Sequence, residues 1–214
     1  VCLLKGVKLT SSINTSIITS LIPVWTLLFE MAFKQEGISW RRVLGMILSF
    51  IGILVVQKYD QLHLQNDHLR GDILVLVGAM GSGLFFALSK DFFTKYDHWW
   101  ASSIIFVFGA LQIGLIGLVE GQPISFPPFS LGMQSEVWLS MLFSIFGATL
   151  ITYFLSNWSL TKLSGSSSAL FIFLQPVVAS GVAVLYLGEE ISPKTLLSGG
   201  LILLGMVLSL KKSL

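Results

Sequence analysis

The fold class this sequence predicts is an all-α, polytopic membrane helix bundle, and three observations predict it. Charged residues make up 11% of the 214 and hydrophobic ones 54%, where a soluble domain carries roughly 25% charged residues. The mean hydropathy is +0.83. The apolar residues also gather in runs of bilayer length. Residues 165–187, GSSSALFIFLQPVVASGVAVLYL, hold no charge at all, and about 20 such residues cross a hydrocarbon core. A net charge of +2 gives no reason to expect a nucleic-acid partner. The single cysteine, Cys2, allows no internal disulfide. Lys5 and Lys8 stand near the start without a cleavage site behind them, so no signal peptide is read.

Taken in order, seven spans can be drawn: 12–33, 40–57, 72–94, 99–119, 136–161, 166–187 and 193–210. Residues 1–8 read as the tail of an earlier span. The connections are short except for the polar stretch 58–70 and the proline-rich 121–135, which reads as an ordered external loop. The first and sixth spans carry Pro23 and Pro176 inside them. Proline removes a backbone donor, so the carbonyls four residues back, Thr19 and Ile172, need another partner. In hydrocarbon that partner must come from protein or from a water-lined cavity.

Orientation follows from the basic residues. Lys34, Arg41, Arg42, Lys90, Lys95, Lys162, Lys211 and Lys212 fall on one side; Lys5, Lys8, Lys58, Arg70 and Lys194 fall on the other. The bias places the C-terminus in the cytoplasm. The expected setting is the plasma (inner) membrane. Trp40, Trp99, Trp100 and Trp138 sit at span ends, where an aromatic belt belongs.

The chain also repeats. Residues 11–58 align on 164–211 without a gap, at an offset of 153, and eleven of the 48 pairs are identical. Pro23 meets Pro176, Glu36 meets Glu189, Ile38 meets Ile191, Ser39 meets Ser192, Gly52 meets Gly205 and Lys58 meets Lys211. Shared apolar composition matches leucines, but it does not put a proline, a loop glutamate, a glycine and a closing lysine in one register. The two copies stand five spans apart, an odd number, so they are inverted in the membrane. The second copy, 71–212, is a complete five-helix unit. The first, 1–58, keeps only its fourth and fifth helices and the end of its third. The expectation is therefore an intact protein of ten helices, with about eighty residues more before Val1.

A proline-broken helix, a Leu-Gly-Glu turn and a glycine-rich last helix resemble the EamA-type unit of the drug/metabolite transporter superfamily. Here they stand as Gln175-Pro176-Val177-Val178, Leu187-Gly188-Glu189-Glu190-Ile191-Ser192, then Gly199-Gly200 and Gly205. The first copy keeps Pro23, Glu36, Gly45 and Gly52 but has Gln35 where the glycine of Gly-Glu belongs. The resemblance implies ten helices with both termini inside, a central cavity between inverted halves, and export or exchange of small metabolites by alternating access. Across the superfamily the solutes range from amino acids to nucleotide sugars, sugar phosphates and drugs.

Two proline-broken helices at matched positions point to a binding site. Polar and aromatic side chains in the spans supply its candidates: Asn14, Trp25, Ser82, Phe86, Tyr153, Asn157 and Gln175. An amide inside a span is expensive unless paired, so Asn14, Asn157 and Gln175 are either cavity ligands or interhelical bonds. Tyr153 lies four residues before Asn157, on one helical face. Pro23, Pro176, Gly81 and Gly83 are candidate hinges; the glycines serve equally as packing surfaces. Glu30 is the carboxylate placed inside a span and is a candidate for ion coupling, or for pairing with Lys34 at i+4. Glu36 and Glu189 fall in turns. His63 and His68, with Asp60 and Asp67, match no metal-ligand spacing, so no metal and no cofactor is expected. The partners are a small-molecule solute and the bilayer. A seven-helix receptor or a channel is the rival reading; the inverted repeat argues against the first, and the lack of a charge ring or filter motif against the second. No HExxH, Gly-x-Ser-x-Gly or paired intramembrane aspartate supports an enzyme.

Overall fold

The computed structural model describes residues 2–34, 39–56, 69–119, 121, 135–187 and 193–210, and these residues form helices joined by short turns, with no strand among them. The helices are α1 (Cys2–Leu9), α2 (Ser12–Thr19), α3 (Ile22–Lys34), α4 (Trp40–Val56), α5 (Leu69–Lys95), α6 (His98–Val119), α7 (Ser135–Leu142), α8 (Thr152–Lys162), α9 (Gly165–Ala169), α10 (Gln175–Leu187) and α11 (Pro193–Leu210). A π-helical stretch, Phe143–Ile151, joins α7 to α8, and a 3-10 turn, Leu170–Leu174, joins α9 to α10. Six segments are long and apolar enough to cross a membrane: Asn14–Phe33, Leu69–Lys95, Trp99–Val119, Glu136–Lys162, Gly165–Tyr186 and Pro193–Leu210. The seventh expected span is α4, a helix of 17 residues, just under the length of the others. Glu36, Glu189, Lys58 and the His63/His68 stretch lie outside the described residues.

Both proline-bearing spans are broken, each by its own device. In the first, α2 ends in a turn at Ser20–Leu21, and hydroxyls take up carbonyls near the break. Thr19 Oγ1 donates to the Thr15 carbonyl at 2.8 Å, and Ser20 Oγ to that of Ile17 at 2.6 Å. In the second, the chain tightens into 3-10 geometry before Pro176. The backbone N–H of Gln175 then donates to the Ile172 carbonyl. The carbonyl expected to need an outside partner is satisfied by the next turn of its own chain, an adjustment that keeps broken helices viable in hydrocarbon.

The chain forms two compact units, residues 1–89 with 164–214, and residues 90–163. In the first unit the dominant contact is α4 against α11. Gly45 faces Gly205 and Ser209, Ser49 faces Ile202 and Gly205, and Gly52 faces Ile202 and Ser198. As one number rises the other falls, so the helices are antiparallel. The glycines let the backbones close. A Cβ added to Gly52 would fall 2.9 Å from the Ser198 carbonyl oxygen, and one added to Gly45 2.7 Å from the Ser209 backbone nitrogen, too close for a larger residue without the backbones moving apart. Leu27, Met46, Ile53, Leu170, Phe173, Ile202 and Met206 form the apolar core beside this seam.

In the second unit α8 packs on α6. Its ring contacts are Trp99 with Phe154, centroids 3.8 Å apart, and Phe106 with Tyr153, 5.7 Å apart and edge-on. Along α6, Val107, Phe108, Leu111 and Leu115 are exposed. Apolar surface of this extent suits lipid rather than water.

Candidate functional site

Glu30 is the most deeply buried carboxylate among the described residues, at 2% exposure. It sits on α3 seven residues beyond the buried Pro23. Its Oε1 accepts the backbone N–H of Ser166 at 3.0 Å, across 136 positions of sequence. Its Oε2 has no hydrogen-bond partner among the described residues. Arg42, at the start of α4, reaches the same serine, its Nη1 donating to Ser166 Oγ at 3.4 Å. Ser164 caps α9 by accepting the N–H of Ser167, and its hydroxyl also bonds that of Ser167 at 2.8 Å. The hydroxyl of buried Ser168 has no partner among the described residues. Gly165 completes the cluster. A side-chain carbon there collides with the Phe86 carbonyl of α5 and lies 2.9 Å from Glu30 Oε1. This glycine is what allows α3, α5 and α9 to meet.

The other candidates separate into distinct places. Asn14, on α2, is buried, and its Nδ2 donates to both carboxylate oxygens of Asp72 on α5, at 3.2 Å each. Thr10 donates its hydroxyl to the same carboxylate. Asn14 thus ties α2 to α5 through a carboxylate 58 residues away, which no spacing pattern pairs with it. Trp25 is half-buried, stacks on Phe29 with centroids 6.3 Å apart, and holds its indole N–H buried without an acceptor among the described residues. Gly83 is buried directly under Trp25, where an added Cβ would fall 2.6 Å from Trp25 Cβ, whereas Gly81 is exposed and an added Cβ there would meet nothing within 4 Å. Ser82 turns its hydroxyl back to the Gly78 carbonyl at 3.0 Å, and Phe86 is half-buried, edge-on to Phe85. Gln175 is exposed at the start of α10.

Asn157 and Tyr153 belong to the second unit. Asn157 is 1% exposed, and its Nδ2 donates to Ser102 Oγ at 2.9 Å, while its Oδ1 has no partner among the described residues. Tyr153 is half exposed against Phe106. Ser102 and Phe106 are one helical turn apart on α6, so both side chains of α8 address one face. Reasoning from sequence missed Arg42, Asp72 and Ser102, each a polar residue whose partner comes from a distant helix. Ser102 was the most findable of these, as a hydroxyl inside an apolar span.

Pro176, Val177, Ser180 and Gly181 of α10, with Ser198, Gly199 and Ile202 of α11, line an open apolar cleft of about 460 Å³. No group of three or more metal-ligating side chains occurs among the described residues.

Broken apolar helices, an antiparallel glycine seam and polar side chains buried between spans define a polytopic membrane protein of the repeated-helix kind. The chain belongs to the EamA-like transporter family, which matches it over residues 1–57 and 69–211. It is similar to an uncharacterized transporter of Archaeoglobus fulgidus, 26% identical over 202 residues, covering 94% of this chain and 69% of the relative. It is also similar to the uncharacterized transporter YyaM of Bacillus subtilis, 24% identical, covering 94% and 65%. A probable terminal-alkyne amino-acid exporter of Streptantibioticus cattleyicolor is 25% identical over 94% of this chain and 65% of that protein. One solved crystal structure has the same fold, with a TM-score of 0.80 at 16% identity over 98% of this chain and 70% of that one. The chain spans about two thirds of the length of these relatives.

Proposed function

We propose that this protein is a secondary transporter that moves small organic metabolites, amino acids among them, across the membrane by alternating access. The observation that carries the proposal is the antiparallel seam of α4 and α11, made by repeat counterparts. Two inverted copies around one axis can exchange conformations and so open a shared path to either side in turn. The broken spans at Pro23 and Pro176 supply the joints, and membership of a transporter family agrees with them. The amino-acid class is favoured by the exporter of Streptantibioticus cattleyicolor.

Asn157 is the first choice for contact with solute, because its Oδ1 is buried and unmatched among the described residues; an unmatched buried acceptor costs about 1–3 kcal/mol. Trp25 offers a buried indole donor of the same kind. Gln175, Ser82, Phe86 and Tyr153 are the further lining candidates. The proposed setting is the plasma (inner) membrane with the C-terminus in the cytoplasm.

The test is counterflow. Vesicles containing the purified protein are loaded with unlabelled amino acids and diluted into a trace of the labelled mixture. The proposal expects label to rise transiently above its equilibrium level. Equilibration no faster than in protein-free vesicles, for amino acids and for a panel of other metabolites, overturns it.

A further inference from the structure

One serine ties the two repeat copies together at one end of the first unit. Ser166 gives its backbone N–H to Glu30 of α3 at 3.0 Å, and its hydroxyl accepts the guanidinium of Arg42 of α4 at 3.4 Å. Arg42 is itself anchored, because its backbone carbonyl accepts the Ser209 hydroxyl of α11 at 3.3 Å. The side chain of one residue thus joins the α4–α11 seam to α9. Ser166 is fully buried and Arg42 half-buried. Alongside, Leu170 and Phe173 of the 3-10 turn share a buried cluster with Leu27 and Met46.

The repeat supplies a comparison within the same chain. A shift of 153 turns Glu30, Arg42 and Ser166 into Ala183, Thr195 and Ile13. These three offer no carboxylate, no cation and no hydroxyl in the serine's place, so the set of bonds has no counterpart. The same shift turns Leu27 and Met46 into Ser180 and Gly199, and those two line the open cleft between α10 and α11. The helices are closed where the polar set stands and open where the sequence drops it.

We propose that Arg42 and Ser166 are positioning residues that form a latch: while the guanidinium holds the Ser166 hydroxyl, α9 stays seated on α3 and the solute path is shut at the end where Arg41 lies. The inference rests on the alternating-access reading and names the contact that closes one side. A latch has to hold and to let go. A hydrogen bond from a charged donor is stronger than one between neutral groups, yet at 3.4 Å this one lies beyond the usual range for N–H···O. The bond to Glu30 uses the Ser166 backbone, which any residue but proline would supply. The bond to Arg42 is therefore the part of the seat that depends on the Ser166 side chain. Gly45, Gly52 and Gly205 bring the α4 and α11 backbones into direct contact, so the seam is the fixed partner and α9 is the element that leaves.

The test needs no knowledge of the solute. Ser168, on α9, is buried at 5% exposure. Ser168→Cys is built in a Cys2→Ser background, and its alkylation by a maleimide is timed in liposomes. Arg42→Gln and Ser166→Ala should each raise the rate about threefold, the effect of losing one hydrogen bond between membrane helices. The double variant should also rise about threefold and not about ninefold, because both changes remove the same bond. A separate reporter, Ser198→Cys, lies buried in the α4–α11 seam and should keep its rate throughout. With a membrane-impermeant maleimide, Ser168→Cys should react from the face that labels Arg41→Cys and not from the other. An unchanged rate in either single variant, additive effects in the double, an equal rise at Ser198→Cys, or reaction from both faces alike overturns the latch. Each of these leaves alternating access to the counterflow measurement, which fails or succeeds independently.

Discussion

The hydroxyl of Ser49 donates to the carbonyl oxygen of Ile202 at 3.1 Å, across 153 positions of sequence, and 153 is the spacing of the internal repeat. Each residue is the other's counterpart, so the bond crosses the pseudo-two-fold axis. The flanking contacts obey the same operation: Gly45 against Gly205 becomes Gly52 against Ser198. The seam is set by backbone approach rather than by the hydroxyl. Gly205→Val should therefore destabilise the purified protein by roughly 3 kcal/mol or more, at or above the usual range for overpacking. Ser49→Ala should lose about 0.6 kcal/mol, as single hydrogen bonds between membrane helices do. Unfolding in mixed micelles, followed by tryptophan fluorescence, measures both.

The two candidate hinge glycines of α5 should part company. Gly83 lies under Trp25 and Thr26, where an added Cβ would fall 2.6 Å from Trp25 Cβ, while one added at Gly81 would meet nothing within 4 Å. Gly83→Ala should destabilise by about 1–3 kcal/mol. Gly81→Ala should be neutral or slightly stabilising, because alanine is the better helix former. If Gly81→Ala keeps its stability and still lowers flux, Gly81 is a hinge; unchanged flux removes it from the mechanism.

Asn14 and Asp72 form a partly buried tie between α2 and α5. Asn14→Ala takes away the amide donor that faces both oxygens of the carboxylate, and the expected loss is about 1–3 kcal/mol. Asp72→Asn keeps the shape and should recover part of it in the Asn14→Asp background, where the polarity is reversed. A double-mutant cycle on thermal stability separates this tie from a direct role in binding solute.

Asn157→Ala should lower flux by at least about tenfold, which corresponds to about 1.4 kcal/mol of lost interaction. Ser102→Ala, which leaves the Asn157 oxygen in place, should lower stability while leaving the solute preference unchanged. If Asn157→Ala transports at the original rate, the proposed contact with solute is elsewhere.

Much of the architecture could be read from the residues because its causes are local. Proline inside a span breaks the helix at the turn before it, so both interrupted spans followed from Pro23 and Pro176. Bilayer length set the others, α4 among them as the helix Trp40–Val56. The π-helical stretch Phe143–Ile151 left no comparable mark. It is held in part by side chains that reach five residues back, Thr149 to Ser144 and Thr152 to Gly147, and apolar composition does not distinguish this winding from an α-helix. The polar ties were legible as individual costly residues and not as pairs. Glu30 stood out as a buried acid, but Ser166 lies 136 residues away and answers with its backbone, a group every residue but proline carries.

The account depends above all on the two copies lying upside down to one another. Ser11 and Ser164 are counterparts, and each caps its helix by accepting a backbone N–H three residues on. Cysteine is placed at one or the other, in a Cys2→Ser background, and intact cells are treated with a membrane-impermeant maleimide before and after permeabilisation. The account predicts that one position labels from outside and its counterpart only after permeabilisation. Labelling of both from the same side contradicts it.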